Sequence, residues 1–558
     1  MRFLNLWLLL AVLFLAGVLG FSSEMRRVVR MEATSLGGPI GYGPSYWWML
    51  HQWERSWERA SRGTAGKDWQ LVWGAAELKS LLGRGISIPE FQRAVALNPE
   101  SRALRCRAAI ALSYQISFTR SDESNVYQGG APPKPGTKEE PPDPAKVAAA
   151  LKALDEATRQ DPDNGLLDWH SAHVLFAAQR DAEANEALKR MAAKPRWEDY
   201  KSDAARAAAH QARWAGWPRY WAAADGWSAA VHLSAQTNVR WVTKWLSAWA
   251  RVFEEQGRDQ EAIERWRVTF AFGQKMRTSA TTVVDILMAA IATEGAAGTA
   301  GMWRLPKEEL ESLNEYSAGP GGRKGGQYEL QQELRLERFC SYLSDHGASD
   351  LAPRVRADVA ASEFYRQALH RAGPFDLSKP PTSYSIRLTL AQSGQSLFLA
   401  CLVLLTAFFL LSWLGRRPRV RPRVGLMPLA FAIVIVAPIA WWWMRVPAVT
   451  RDVPKNVLAF APSWWWAPVV TVGPVALFLA ACWIVTVVSR RRRACVRGRR
   501  WFLLHWFGNV NIASLWAIAI LLTLLLLLFI PIQVYGARLE AYYAQVLAKG
   551  ELAVRLGW

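Results

Sequence analysis

Long apolar runs without charged residues are the clearest pattern along this 558-residue chain. One run covers 3–21, and four follow near the C-terminus, at 396–414, 424–444, 468–488 and 510–532. Each is long enough to cross a hydrocarbon core of about 30 Å as a helix that rises about 1.5 Å per residue. Since charged side chains are costly inside a bilayer and these runs have none, the pattern predicts a multi-pass integral membrane protein.

The first run, in segment 1–21, has two interpretations. It is preceded only by Met1 and Arg2, and it ends near the small-residue sequence Val18-Leu19-Gly20. These features are compatible with a retained transmembrane signal anchor and with a cleaved signal peptide. In both cases the chain that follows is expected to be exported.

Arginine-rich short loops predict the orientation of the spans. The loop between the second and third spans and the loop between the fourth and fifth contain several arginines and no carboxylate. The topology-determining residues include Arg416, Arg417, Arg490, Arg491, Arg492 and Arg493. Positively charged residues in short loops remain in the cytoplasm, so segment 22–395 and the tail 533–558 are predicted to lie outside it. The expected location is the inner (cytoplasmic) membrane of a bacterial cell, with the large domain in the periplasm.

Two tryptophan triplets agree with this orientation. They are Trp441, Trp442 and Trp443 at the end of the third span, and Trp464, Trp465 and Trp466 before the fourth. The predicted topology places both triplets at the outer interface, where amphipathic indole rings prefer to lie. We interpret them as membrane-interface anchors, and the alternative is that they line a groove for a lipid or another ligand.

The exported segment 24–300 has apolar positions at spacings of three and four, which is typical of helices. Three successive units and a later fourth copy carry small and large apolar residues at equivalent positions. These positions are Leu71, Ala75, Leu78, Phe91 and Ala94; Ala109, Leu112, Ala150, Leu154 and Ala157; Ala172, Leu175, Ala184 and Leu188; and Leu246, Trp249, Ala250, Phe253, Ala262 and Trp266. Gly257 suits the turn between the two helices of the fourth copy, and a Pro- and Gly-rich insertion at 119–144 interrupts the second unit.

These spacings resemble a degenerate form of the tetratricopeptide repeat, over 68–198 and 243–276, although other α-solenoid repeats share the pattern. The resemblance implies stacked helical hairpins with a concave surface that binds another protein. Segment 301–390 is predicted to be a linker with further helices. The expected fold is therefore all-α: a signal anchor, an exported TPR-like domain and a C-terminal region of four transmembrane helices.

Candidate chemical sites are few. His170 and His173 share a helix face at i, i+3, but they lack the further ligands that a zinc site needs. Cys106 and Cys340 lie in the exported part, where an oxidising compartment would allow a disulfide, and buried free thiols are the alternative. The sequence predicts no catalytic residue, no metal site and no cofactor.

Two tryptophan series follow helical spacing in the exported domain. They are Trp214, Trp217 and Trp221, at i, i+3, i+7, and Trp241, Trp245 and Trp249, at i, i+4, i+8. Each series is predicted to form a stripe along one helix face. Such a stripe is a candidate contact with a partner protein or a glycan, and the alternative is a packing seam between helices.

The net charge of +20 suggests a nucleic-acid partner at first sight. However, the arginines of the two cytoplasmic loops account for most of that excess, so no nucleic-acid partner is expected. The predicted function is a non-catalytic, membrane-anchored helical-repeat protein that scaffolds or recruits an envelope protein at the outer face of the cytoplasmic membrane. The alternatives are a component of an envelope transport or export system and a membrane enzyme acting on lipid or glycan. The tail 533–558 is predicted to be amphipathic and either lies on the membrane or docks on the exported domain.

Overall fold

A computed structural model describes six main stretches of the chain: 65–81, 87–117, 142–232, 236–302, 325–372 and 499–557. Arg304 and a few single positions between 381 and 487 are also described. All regular secondary structure in these stretches is helical, which confirms the predicted all-α class.

The α-helices of the described residues are numbered in chain order. They are α1 Trp69–Leu81, α2 Ile88–Leu97, α3 Arg102–Ser113, α4 Pro144–Gln160, α5 Gly165–Ala177, α6 Asp181–Ala193, α7 Lys201–Trp214, α8 Arg219–His232, α9 Gln236–Glu255, α10 Asp259–Thr278, α11 Val283–Ala290, α12 Ala296–Met302, α13 Gly325–Asp345, α14 Leu351–Ala372, α15 Arg499–Lys549 and α16 Glu551–Leu556. A π-helical segment, Ile291–Gly295, joins α11 to α12.

The chain divides into two compact units. The first comprises Met1–Arg59, Arg213–Ala222 and Phe375–Tyr542, and the second comprises Ala60–Ala212, Ala223–Pro374 and Tyr543–Trp558. The second unit contains the repeat-like sequence together with the last residues of the chain.

Polar caps set the starts of several helices in the second unit. The Ser101 side chain accepts a hydrogen bond from the Leu104 backbone, and Asp143 accepts one from Ala145 just before Pro144 opens α4. Asn164 accepts one from Leu166 at the start of α5. These side chains satisfy backbone N–H groups that have no partner within the helix, so the helix starts are encoded locally.

The predicted hairpin positions are occupied by helices. Nearly all the apolar residues at equivalent repeat positions are buried, with Leu112 and Trp249 partly buried. Membership of the tetratricopeptide family itself stays a prediction, because a hairpin pattern is common to many α-solenoids.

Three hairpins share one turn geometry. In the α9–α10 hairpin, Gly257 has a φ of 69°, and the next residue, Arg258, donates its backbone N–H to the Phe253 carbonyl oxygen. Gln179 takes the same left-handed conformation between α5 and α6, with a φ of 59°, and Gly347 takes it between α13 and α14. The equivalent bond across five residues closes each turn, so the α13–α14 hairpin repeats a geometry that the sequence pattern did not reveal.

One described helix is long and apolar enough to cross a membrane. It is the segment Ile518–Lys549 of α15, which includes most of the predicted span 510–532. The other predicted spans and the signal segment lie outside the described residues, apart from five isolated positions between 480 and 487.

The end of the C-terminal tail, Tyr543–Trp558, belongs to the second unit. Helix α15 continues to Lys549, and Gly550, with a φ of 88°, separates it from α16. The Leu552 side chain packs with Val283, Ile286 and Leu369, and its backbone N–H donates to the Thr281 carbonyl oxygen at 3.0 Å. This end of the tail is therefore docked on the second unit, which is one of the two predicted alternatives.

Candidate functional site

The resemblance assigns partner binding to the face made by the first helix of each hairpin. In this structure those helices are α1, α3, α5 and α9. In a hairpin stack, such a face is normally open to solvent and available to ligands. Here every residue of α5 except Ser171 is buried. A central helix that is buried on all sides cannot present a binding surface, so other parts of the chain must cover it.

Different elements lie against the first helices: α7 against α1, α8 against α3, and α9 and α10 against α5. Gly74 on α1 lies so close to Ala207 on α7 that a Cβ at this glycine would overlap the Ala207 carbonyl oxygen. The rings of Phe176 on α5 and Trp245 on α9 lie 6.5 Å apart in a T-shaped arrangement. The second unit thus fills this face with its own helices.

A fully buried ion pair lies beneath the cover. The Arg107 side chain on α3 donates two hydrogen bonds to the Glu77 carboxylate on α1, at 3.1 and 2.8 Å. The Trp73 indole N–H donates to the same carboxylate at 2.9 Å, and Arg107 also donates to the carbonyl oxygen of Ala230 on α8 at 3.1 Å. Burial alone would lower the pKa of Arg107, but the charge and hydrogen bonds of Glu77 raise it, so the guanidinium keeps its charge.

A second buried group of charges joins α7 to α11. The Lys201 ammonium contacts Asp199 at 2.7 Å and Asp285 at 2.7 and 2.9 Å. Asp285 also completes a capping box with Thr282 at the start of α11. Burial opposes the charge on Lys201, but the two carboxylates raise its pKa above the ordinary value. One carboxylate therefore neutralises a buried cation and caps a helix.

His170 and His173 lie in the same interior. Ser113 donates its hydroxyl proton to the Ile110 carbonyl oxygen at 2.7 Å, so the 2.8 Å contact from Ser113 Oγ to His170 Nδ1 requires the Nδ1–H of the imidazole to donate. Burial lowers the pKa of His170 to about 3, with a smaller contribution from His173, and lowers that of His173 to about 4. Both rings are neutral at pH 7.

The described residues form neither a metal site nor a disulfide. No group of three or more His, Cys, Asp and Glu side chains with metal-binding geometry occurs among them. Cys106 and Cys340 are free and buried, and they belong to separate hydrophobic clusters, so they are not paired in this structure.

The structure agrees with the predicted helical stripe for only one of the two tryptophan series. Trp214 ends α7, Gly216 has a φ of 99°, and α8 begins after Pro218, so the predicted single stripe of Trp214, Trp217 and Trp221 along one helix is wrong. Trp214 is 42% exposed, and the other two side chains are half-buried.

The second series lies on α9 as predicted. Trp245 is buried, and its ring contacts the half-buried Trp249 ring at 5.4 Å. This arrangement is that of a packing seam. The Trp241 side chain lies outside the described residues, as do the two tryptophan triplets and the topology-determining arginines.

Comparisons of the chain with known family profiles, with characterised proteins and with solved structures gave no match.

Proposed function

We propose that this chain is a non-catalytic, membrane-anchored helical protein that scaffolds or recruits another envelope protein at the outer face of the cytoplasmic membrane. The observation that carries the proposal is the course of α15. This single helix contains the membrane-length segment Ile518–Lys549 and ends in residues that pack, with α16, inside the second unit, which we call the helical unit. Such a helix would connect the second unit to the bilayer.

The partner surface follows from what the helical unit leaves exposed. The face made by the first helices is covered, so a partner has to use the outer surface. Leu287 and Ile291 are 41% and 36% exposed, and they lie four residues apart on the α11 and π-helical stretch. Phe364 on α14 is 54% exposed. Large apolar side chains at the surface are typical anchors of protein interfaces.

The topology and the partner require separate tests. A photoreactive amino acid at Ile291 of the full-length protein in its native membranes should give one discrete protein adduct. The same probe at Lys152, an exposed position on α4, serves as the control and should give none. Leu287→Asp should reduce the adduct several-fold, because a charge would enter the apolar contact. The same adducts in equal yield from the probes at Ile291 and Lys152 would contradict partner binding.

The outer-face location is tested by labelling. A single exposed cysteine at Asp203, introduced after replacement of the native cysteines, should react with a membrane-impermeant reagent only from the extracytoplasmic side. Reaction from the cytoplasmic side alone would overturn the proposed orientation and the recruitment of an envelope protein with it.

A further inference from the structure

A group of two arginines and two tyrosines lies in the first unit, and we call it the Arg–Tyr cluster: Tyr384, Arg387, Tyr535 and Arg538. Arg387 donates a hydrogen bond to the Tyr535 hydroxyl at 3.0 Å. Its guanidinium carbon is 5.4 Å from the Tyr535 ring centroid, and that of Arg538 is 5.8 Å from the same centroid. The two tyrosine rings lie 6.4 Å apart. The guanidinium groups of Arg387 and Arg538 thus both lie next to the Tyr535 ring.

No carboxylate of the described residues balances the two charges of the Arg–Tyr cluster. Neither arginine forms an ion pair with a carboxylate in the part of the chain that the structure describes, and both side chains are exposed. Glu540 is two residues beyond Arg538, a spacing at which helix side chains do not face each other. Like charges near each other repel, so an anion bound between them would stabilise the arrangement.

The position of Arg538 along α15 indicates which kind of anion would bind there. Arg538 is the first charged residue after Arg500 in this helix. Leu527, Ile530 and Val534 are 55%, 61% and 43% exposed, and their spacing of three and four residues continues to Arg538. An exposed apolar stripe that ends on an arginine is typical of a helix leaving the hydrocarbon core, where the cation reaches the headgroups.

Helix dimensions agree with this placement. With a rise of about 1.5 Å per residue, Tyr535 lies about 4.5 Å and Arg538 about 9 Å beyond Ile532, the last residue of the apolar run. The headgroup layer extends about 5–8 Å on each side of the hydrocarbon core. Long side chains of a helix point back toward its N-terminus, and the Arg538 guanidinium lies beside the Tyr535 ring one turn closer to the core. The Arg–Tyr cluster therefore falls at the level of the lipid phosphates when the apolar run spans the core.

We propose that the Arg–Tyr cluster binds the phosphate of an anionic phospholipid, whose acyl chains cover Leu527, Ile530 and Val534. Guanidinium groups form charge-assisted, bidentate hydrogen bonds with phosphate oxygens. The tyrosines hold the arginines in place and suit the interface, since each has an apolar ring and a polar hydroxyl. Free phosphate offers the same oxygens but would leave the apolar stripe uncovered. This inference rests on the proposed membrane anchoring.

The test uses the full-length protein in lipid nanodiscs. The discs contain equal amounts of phosphatidylglycerol and phosphatidylcholine, and native mass spectrometry measures the lipids that remain bound after release. The variant Arg387→Gln/Arg538→Gln removes both cations. The matched control Arg159→Gln/Arg180→Gln removes two exposed arginines of the helical unit and the same net charge. A third arm adds inorganic phosphate to the wild-type protein.

The wild-type protein and the control should retain phosphatidylglycerol in preference to phosphatidylcholine. The Arg387→Gln/Arg538→Gln variant should lose roughly fivefold in this preference for each arginine removed. An equal preference in the variant and the wild type would overturn the proposal, and so would full displacement of the lipid by inorganic phosphate. Failure of the wild-type protein to sediment with carbonate-washed membranes would instead refute the membrane anchoring, so the two failures are distinguishable.

Discussion

The buried pair of Glu77 and Arg107 gives the sharpest prediction for the helical unit. Both side chains are essentially inaccessible to solvent, at 0% and 1% exposure. In Glu77→Gln the shape of the side chain is kept, but Arg107 loses its direct counter-charge. An amide oxygen can accept only part of the bidentate contact, and the amide N–H₂ group faces the guanidinium donors.

The magnitude follows from what remains around Arg107. Its other hydrogen bonds go to the neutral carbonyl oxygens of Ala230 and, more weakly at 3.5 Å, Asp199. The carboxylate of Asp199, whose charge also acts on Arg107, is held by Lys201. Breaking a buried ion pair on one side costs about 3–5 kcal/mol in the free energy of unfolding, because it leaves an uncompensated charge. For a unit of this size the midpoint of thermal unfolding should fall by roughly 10 °C.

The assay is thermal unfolding of the full-length protein in detergent micelles, followed by intrinsic tryptophan fluorescence. Trp73 donates to Glu77, so the signal includes a reporter at the site. The control is Asp155→Asn, which breaks the exposed pair of Asp155 and Arg159 within α4 and should leave the midpoint unchanged. The double variant Glu77→Leu/Arg107→Met should recover most of the loss, since apolar residues of similar volume replace buried pairs at little cost.

Two results would refute this reasoning. One is a Glu77→Gln midpoint within a degree of wild type, which would mean that the pair is hydrated. The other is a double variant that is less stable than Glu77→Gln, which would mean that the pair stabilises the fold by more than its desolvation costs.

Three further predictions concern the turns, the histidines and the tail. Gln179→Gly should raise the free energy of unfolding by about 0.5–1 kcal/mol, because glycine adopts the left-handed conformation without strain. Gly257→Ala should lower it by a similar amount, and thermal unfolding measures both effects. In the unfolded state His170 and His173 take up protons near pH 6.5, whereas in the folded state they do so only near pH 3 and pH 4. The free energy of unfolding is therefore at its maximum above pH 6.5 and decreases as the pH falls below that value. Between pH 6 and pH 4, each histidine should add about 1.4 kcal/mol per pH unit to the slope of the free energy of unfolding against pH. A slope in His173→Gln equal to that of the wild type would contradict this. Leu552→Asp should release the tail, seen as faster amide exchange over α16, while an unchanged exchange rate would show that the apolar pocket does not hold it.

The hairpins could be predicted because their signal is local. Positions such as Ala150, Leu154 and Ala157 recur at helical spacing and pack in the core, so periodicity alone identifies both the helices and their buried faces. Further helices are also predicted in segment 301–390, where α13 and α14 lie. The sequence did not reveal that these two helices share the turn geometry of the other hairpins, because they do not follow the apolar spacing of the repeat units.

The tryptophan series show where periodicity fails. Residues 214, 217 and 221 satisfy the helical spacing, yet the helix ends at Trp214. Gly216 readily adopts a left-handed conformation, and Pro218 lacks the N–H that an uninterrupted helix requires. A Gly and a Pro two residues apart are a stronger signal than three aromatic residues at matching positions.

The buried charges could not be predicted because their partners are distant in sequence. Glu77 lies 30 residues from Arg107, and Lys201 lies 84 residues from Asp285. Each looks like an ordinary polar position of an amphipathic helix, and only the packing of α7 and α8 over the first helices converts these positions to interior ones. The same packing removes the open surface that the repeat resemblance implies.

The start of α11 shows how the interior and the tail are joined. The Asp285 carboxylate binds Lys201 from α7 and also accepts the backbone N–H groups of Thr281 and Thr282, at 3.1 and 2.9 Å. The Thr281 carbonyl oxygen in turn accepts the N–H of Leu552. A single hydrogen-bonded turn therefore connects the buried charges to the residues that follow α15. The residues that follow α15 are therefore held to the ordered core of the second unit by a backbone hydrogen bond as well as by the apolar contacts of Leu552.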